Sequence, residues 1–146
     1  DKAFSVFMAE SLYDIYLNLS QEEREILDQY AQTALTLLVH PKEILKHISQ
    51  DGLEGVRIID NPMMQQLADA TALPLTATSA NTSGQEPCYK PDKIEAALPA
   101  KDGTTYDLSL GCILDGGDLQ PGLISTVATF KNGKFSIVRQ GSLILR

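Results

Sequence analysis

The stretch Pro74-Leu75-Thr76-Ala77-Thr78-Ser79-Ala80-Asn81-Thr82-Ser83-Gly84 begins like a short strand and runs directly into a polar loop closed by glycine. Five of its residues carry hydroxyls and one carries an amide, in a segment that otherwise has a buried pattern. Polar groups in such a place need hydrogen-bonding partners. A polyanion, held by side-chain hydroxyls and backbone N–H groups at a strand end, would supply them.

Strand-like and helix-like patterns alternate ahead of this stretch. Ser20 and Glu23 have the spacing of a capping box at a helix start, and Asn61-Pro62 is a second helix start. Val, Ile and aromatic residues at short spacing indicate the strands. Strands are predicted at 3–9, 35–39, 55–59 and 112–114, and helices at 10–19, from Ser20, from Pro41, from Asn61 and at 90–98.

The end of the chain predicts a β-hairpin, because Asn132-Gly133 lies between two strand-like runs, 125–130 and 135–139. With a two-residue turn, Thr126 would lie opposite Arg139 and Ser125 opposite Gln140. The open end of the hairpin would then bring hydroxyls and a guanidinium together. An ordinary Thr–Arg pair on a solvated face fits the same pattern.

These elements predict an α/β (α+β) fold with a mixed β-sheet and flanking helices. We expect one domain over residues 1–146, since the length suits a single core and no linker or repeat interrupts it. No apolar run reaches the length of a membrane span, and no secretory signal opens the chain. The sequence begins at Asp1 rather than at a start methionine.

Charge and composition narrow the classes of function. The net charge of −7 disfavours a broad phosphate-binding surface for nucleic acid but leaves room for a local nucleotide pocket. Cys88 and Cys112 have no spacing typical of a disulfide framework, which favours a reducing, cytoplasmic location. His40 and His47 have no neighbouring ligand cluster, so no metal site is predicted.

Arg57 is the other residue that suggests chemistry, because it interrupts an apolar strand between Val56 and Ile58. A half-buried guanidinium needs an anionic partner, which could be a protein carboxylate or a ligand. The common nucleotide and nucleophile signatures, Walker A, G-x-G-x-x-G and the nucleophile elbow, are absent from the sequence.

Three segments together resemble the Sua5/YrdC/YciO family. They are the loop Thr78–Gly84, the run Gly55-Val56-Arg57-Ile58, and Ser125-Thr126-Val127 followed by Ile137-Val138-Arg139-Gln140-Gly141. Leu35-Thr36-Leu37-Leu38 resembles a further family segment, although Gln32-Thr33-Ala34 stand where the family has Pro-Gly-Pro. The order and spacing of these segments match over nearly the whole chain.

The resemblance implies a twisted mixed sheet and L-threonylcarbamoyladenylate synthase activity, which joins L-threonine, bicarbonate and ATP. It implies ATP with phosphate-bound Mg²⁺, cytoplasmic location, and partner proteins that complete a tRNA modification (threonylcarbamoyladenosine, t6A). No protein nucleophile is implied, so catalysis would come from positioning and charge stabilisation. The implied nucleotide-binding residues are Thr36, Ser79, Asn81 and Arg139; the implied threonine-binding residues are Arg57 and Ser125; further candidates are Lys2, Thr78 and Thr126.

The sequence departs from the family at its beginning. The family has a Pro-Thr-Asp-Thr-type strand and then a Lys-x-Arg motif, and this sequence starts just after them, with Lys2 as the last basic residue of that region. We therefore expect an N-terminally shortened domain. Two alternatives stay open: a double-stranded RNA-binding module, which a gel shift across salt would test, and a paralogue with another carbamoyl or nucleotide substrate.

Overall fold

The computed structural model describes residues 5–31, 33–49, 51–57, 61–81, 85–94, 113–119, 121–122 and 124–145. The chain divides into two compact units. Unit 1 comprises Asp1–Ala77 and Leu123–Arg146, and unit 2 is the intervening segment Thr78–Gly122. The regular sheet and the three α-helices described below all belong to unit 1.

The described strands of unit 1 form one seven-stranded mixed sheet in the order β5-β1-β4-β3-β6-β7, with β2 paired to β3 outside this path. β1 runs parallel to β4 and β3 parallel to β6, whereas the other pairs are antiparallel. The predicted mixed α/β fold is confirmed. The strands are β1 (Ser5–Phe7), β2 (Leu17–Asn18), β3 (Leu35–Pro41), β4 (Glu54–Arg57), β5 (Leu75–Ala77), β6 (Thr126–Lys131) and β7 (Lys134–Arg139).

The α-helices are α1 (Tyr13–Tyr16), α2 (Gln21–Gln29) and α3 (Pro62–Thr71). The capping box of α2 is confirmed: the Glu23 amide donates to Ser20 Oγ at 3.2 Å, and the Ser20 amide donates to Glu23 Oε2 at 2.7 Å. Asn61 caps α3 by accepting from the amides of Met63 and Met64. None of the described helices has the length and apolar character needed to cross a membrane.

Three predicted elements differ from the structure. The helix expected at 10–19 is a 3₁₀ turn, Glu10–Leu12, followed by α1 and β2. Of the helix expected at 90–98, the structure describes the 3₁₀ turn Pro91–Lys93 and a helical Ile94, and the rest lies outside the described residues. Ile113 and Leu114 are not in a strand, and Cys112 lies outside the described residues. Pro41 ends β3 rather than starting a helix, because its carbonyl accepts from Asn18 Nδ2 at 3.1 Å and proline is tolerated at a strand end.

The sheet buries one face, called the core face, against α2. Side chains alternate along a strand, so every second residue points to this face. Ile26 and Leu27 of α2 belong to the same buried cluster as the strand residues. The fully buried apolar residues of the core face are Val6, Leu35, Leu37, Val39, Val56 and Ala128.

Among the described residues of the core face, Glu54 is an ionisable side chain without a hydrogen-bond partner. Glu54 alternates with Val56 along β4, lies opposite Val39 of β3 and is only 1% exposed. Neither carboxylate oxygen has a hydrogen-bond partner among the described residues. Burial raises the pKa of Glu54 from 4.5 to about 7, and the nearby Gly55 amide lowers it only in part. The carboxyl group therefore holds its proton up to neutral pH.

Candidate functional site

The polar side chains of the second face gather at one edge of the sheet. β4 ends at this edge, and β3 and β6 begin there. Arg57 is the register partner of Thr36 across β3 and β4, which places both side chains on the second face. We call Thr36, Arg57, Ser125 and Arg139 the polar row.

Hydrogen bonds connect three members of the polar row. Arg139 Nη2 donates to the carbonyl oxygen of Ser125 at 2.9 Å and to its Oγ at 3.1 Å. Ser125 Oγ also lies 3.0 Å from Thr36 Oγ1, and either hydroxyl could donate. Thr36 and Ser125 are 5% and 9% exposed, whereas Arg139 is exposed. Arg57 is also exposed, so the expectation that its guanidinium is half-buried was wrong; it stands at the end of β4, where the strand reaches solvent. A buried hydroxyl pair therefore holds the guanidinium of Arg139 at the sheet edge, which differs from a solvated Thr–Arg pair.

The hairpin register differs from the prediction by one residue. Lys131 pairs with Lys134 as expected, but a register shift between Val127 and Ala128 places Arg139 opposite Val127 rather than Thr126. The Asn132-Gly133 turn determines the pairing only of the residues near it. Further along the hairpin, a β-bulge inserts one extra residue into one strand and shifts the pairs beyond it. The bulge directs the guanidinium of Arg139 to Ser125.

Thr126 lies on the core face rather than in the polar row, because it pairs with Leu35. Its hydroxyl donates to the carbonyl of Leu143 at 2.7 Å and accepts from the Gly141 amide at 3.0 Å. A Cβ at Gly141 would overlap the carbonyl oxygen of Ile124 and the backbone of Ser125. The residues after β7 therefore hold the start of β6, and Ser125 with it, in place.

Both arginines of the polar row are available for an anion. Neither Arg57 nor Arg139 forms an ion pair in the described part of the chain, where the ion pairs join Arg24 to Asp14, Lys46 to Glu43 and Lys90 to Asp118. Guanidinium groups bind carboxylate and phosphate oxygens through paired N–H donors. The row thus combines two cationic groups with two hydroxyls along one edge.

The remaining predicted residues lie elsewhere in the sequence. Ser79 and Asn81 are half-buried in unit 2, and Thr78 is exposed there. Asn81 Nδ2 donates to the carbonyl of Gln85 at 2.7 Å, and the Cys88 amide donates to the carbonyl of Ala80 at 2.9 Å, so this loop is internally braced. Lys2 lies outside the described residues.

A cavity of about 270 Å³ opens beside Arg57 within unit 1. The ends of β1 and β4 and one side of α3 line it, with Phe7, Arg57 and Ala68 among the lining residues. Ligands of α/β sheets commonly bind outside the carboxyl ends of parallel strands, which is the position of this cavity. Among the described residues no group of three or more His, Cys, Asp or Glu side chains could hold a metal ion.

The same cavity is lined by three ionisable groups that the sequence analysis did not select: Glu10, Tyr13 and Asp69. Burial and the neighbouring carboxylates of Glu10 and Asp28 raise the pKa of Tyr13 to about 12, so its phenol stays protonated. Gln65 and Asp69, four residues apart on α3, both line the cavity. The i,i+4 spacing was visible in the sequence, but only the fold shows that it faces Arg57.

The fold is a mixed α/β sheet with two arginines and two hydroxyls along one edge. Comparison with known sequences identifies its family. Residues 1–141 match the sequence family Sua5/YciO/YrdC, whose description reads Telomere recombination. The chain belongs to the Sua5/YciO/YrdC family.

Curated relatives carry the name threonylcarbamoyl-AMP synthase. The Serratia proteamaculans protein is 38% identical over 87 residues, which is 60% of this chain and 40% of that protein. A Methanocaldococcus jannaschii protein named putative threonylcarbamoyl-AMP synthase is 26% identical over 126 residues, which is 86% of this chain and 56% of that protein. This chain therefore spans about half or less of the length of these relatives.

Solved structures share the fold. P. abyssi Sua5, in a crystal structure with L-threonine, matches 97% of this chain and 41% of its own length, with a TM-score of 0.77 and 20% identity. E. coli YciO matches 95% of this chain and 66% of its own length, with a TM-score of 0.74 and 20% identity. At this identity the likeness concerns the fold.

Proposed function

We propose that this chain carries a site for the ATP-dependent formation of threonylcarbamoyl-AMP. The observation that carries the proposal is the polar row at one edge of a Sua5-type sheet. Its two arginines, which form no ion pair with any described residue, flank a buried hydroxyl pair. The names of the relatives support the reaction class, and the P. abyssi structure with L-threonine supports an amino-acid substrate.

The proposed chemistry has two steps. The ammonium group of L-threonine first releases one proton to water. The free amine then attacks bicarbonate, a C–N bond forms, and water leaves to give the carbamate. A carbamate oxygen then attacks the α-phosphorus of ATP, a new P–O bond forms, and pyrophosphate leaves with the electrons of the broken P–O bond. Neither step needs a protein nucleophile. Positioning of the reactants and stabilisation of phosphate charge would supply the rate enhancement.

Each member of the polar row has a proposed role. Arg57 would bind the threonine carboxylate, and Ser125 would contact the same substrate. Arg139 would bind a phosphate or the ribose, and Thr36 would line the nucleotide pocket. Ser125 bonds both Thr36 and Arg139, so in this proposal the amino-acid and nucleotide sites share one hydrogen-bonded border.

Further groups complete the proposal. Ser79 and Asn81 are proposed for phosphate contacts from the family resemblance, with Lys2, Thr78 and Thr126 as weaker candidates. Mg²⁺ would arrive on the ATP phosphates, since Mg²⁺ in nucleotide sites is held largely by phosphate oxygens and water. Threonylcarbamoyl-AMP would pass to a transferase partner that modifies tRNA, and the proposed location of the reaction is the cytoplasm.

The test is to incubate the chain with L-threonine, bicarbonate, ATP and Mg²⁺ and to measure pyrophosphate and threonylcarbamoyl-AMP. Arg139→Met and Arg57→Met are each expected to lower kcat/KM about ten- to hundredfold, the effect of one lost charge-assisted bond. Lys134→Met removes an exposed cation from the same hairpin and should leave the rate unchanged. Absence of product from the wild-type chain, at concentrations where ATP and L-threonine are saturating for its relatives, would contradict the proposal.

A further inference from the structure

The cavity beside Arg57 carries charges of both signs on separate elements. Arg57 extends from the end of β4, Asp69 from α3, and Glu10 from the 3₁₀ turn after β1. None of the three takes part in any ion pair within the described residues. The cationic and anionic groups therefore line the same space without neutralising each other.

This distribution of charge selects among ligand classes. A purely anionic ligand would meet Arg57 but would also face two carboxylates, and a purely cationic ligand would leave the guanidinium unmatched. A ligand with one anionic and one cationic end satisfies both sides. An α-amino acid is such a zwitterion at neutral pH, since its carboxyl group titrates in the acid range and its amine in the basic range.

The size of the cavity agrees with that class. Pockets for drug-sized ligands occupy roughly 300–1,000 Å³, and this one occupies about 270 Å³. Phe7, Met64 and Ala68 give it apolar walls beside the charged groups. Such a space suits a small amino acid with a short side chain.

We propose that Glu10 and Asp69 bind the ammonium group of the amino-acid substrate, opposite Arg57 at its carboxylate. This inference rests on the proposed function, which supplies L-threonine as the ligand. The two acidic residues act as positioning and specificity groups: they distinguish a free α-amino acid from one whose nitrogen is uncharged.

The experiment measures binding by titration calorimetry with two ligands, L-threonine and N-acetyl-L-threonine. The wild-type chain should bind L-threonine about ten- to hundredfold more tightly, because the acetylated ligand lacks the charged donor. In Glu10→Gln/Asp69→Asn the affinity for L-threonine should fall to that of the acetylated ligand, whose own affinity should not change. Glu22→Gln, which removes an exposed carboxylate of α2 outside the cavity, should preserve the wild-type ratio.

The ratio of the two affinities separates binding from folding. A merely structural role for Glu10 and Asp69 would lower the affinity for both ligands together and would overturn the inference. An unchanged ratio in the double variant would also overturn it. The single variants Glu10→Gln and Asp69→Asn then show which carboxylate supplies the larger share.

Failure of the inference and failure of the proposed function are distinguishable. If the double variant still makes threonylcarbamoyl-AMP with an unchanged KM for L-threonine, the inference fails and the function stands. If the chain binds L-threonine with the expected charge dependence but makes no product, the function fails and the inference stands. If the wild-type chain binds none of L-threonine, L-serine and L-valine, the inference is overturned.

Discussion

Thr36 and Glu54 lie on adjacent strands of one sheet, and both are almost fully buried. Thr36 points to the second face, where Ser125 lies 3.0 Å away and Arg139 extends the hydrogen bonding to the surface. Glu54 points to the core face, where no described group satisfies its carboxylate. A buried polar group with hydrogen-bond partners fixes the arrangement of the side chains around it, whereas a buried polar group without partners lowers the stability of the fold. Hydrogen bonds therefore hold the polar row in a defined geometry, whereas Glu54 makes the stability of the fold depend on pH.

Gly141→Ala should have the largest effect, because it breaks the backbone support of the polar row. The new Cβ would overlap the carbonyl oxygen of Ile124, so the start of β6 must move. We expect a loss of about 3 kcal/mol or more in the free energy of unfolding, at the upper end for overpacking. Urea unfolding measures it. Gly122→Ala is the control, since a Cβ there meets nothing within 4 Å, and equal stability of the two variants would contradict this view.

The wild-type protein should be more stable at acid pH than at neutral pH, and Glu54→Gln should remove most of this pH dependence of the unfolding free energy. The folded pKa is raised from 4.5 to about 7, so the contribution of Glu54 to stability is full below pH 4.5 and declines as pH rises through about 7. The decline amounts to about 3 kcal/mol at 1.4 kcal/mol per pKa unit. The difference in unfolding free energy between wild type and variant, measured from pH 5 to pH 8, isolates this contribution.

A flat difference across that range would show that Glu54 has a partner in solution. Glu22→Gln controls for general charge effects, because Glu22 is exposed at the start of α2. With that control, the contribution of Glu54 to the unfolding free energy can be compared directly with that of Thr36.

Thr36→Val should have a smaller effect, because it removes one hydroxyl while keeping the shape of the side chain. Ser125 would lose its partner on β3 but keep the bond from Arg139. We expect a loss of about 1–2 kcal/mol, measured by thermal unfolding. Thr36→Ser keeps the hydroxyl but loses the methyl group, so it should be more stable than Thr36→Val and less stable than the wild type. A serine variant no more stable than the valine variant would show that the hydrogen bond to Ser125 contributes little to stability.

Lys46→Ala should have the smallest effect and sets the baseline for exposed polarity. The Lys46 Nζ to Glu43 Oε2 pair, at 2.5 Å, is largely exposed on both sides. Exposed pairs contribute roughly 0–1 kcal/mol, so the change in the free energy of unfolding should stay below about 0.5 kcal/mol and vanish in salt. A larger change would mean that burial does not explain why substitutions at Thr36 and Glu54 affect stability more than substitutions of exposed polar residues.

Local patterns in the sequence predicted the elements that local chemistry determines. Ser20 with Glu23, Asn61 before Pro62, and the Asn132-Gly133 turn each satisfy backbone groups within a few residues, and all three appear as expected. The family resemblance predicted the residues of the polar row. The structure brings Thr36, Ser125 and Arg139 into contact and aligns Arg57 with Thr36.

Features that depend on distant contacts were not predicted. The bulge near Val127 is set by how the hairpin meets Ser125 and Gly141, so the turn sequence alone gave a register one residue off. The strand predicted from residue 55 began one residue too late to include Glu54, although its alternation with Val56 indicates the core face. The cavity joins residues from β1, β4 and α3, and no sequence spacing relates those three elements.

The contact between Thr36 and Ser125 joins residues 89 positions apart in the chain. The β3–β6 contact can therefore form only after β6 is present. Closing the long loop between these two strands is slow compared with forming the β6–β7 hairpin. During synthesis, most of the sheet would leave the ribosome before its last parallel neighbour does. A nascent chain arrested ahead of Ser125 would expose the open edge of β3, so the hydrogen bonds of the polar row can form only after residues 125–139 have been synthesised.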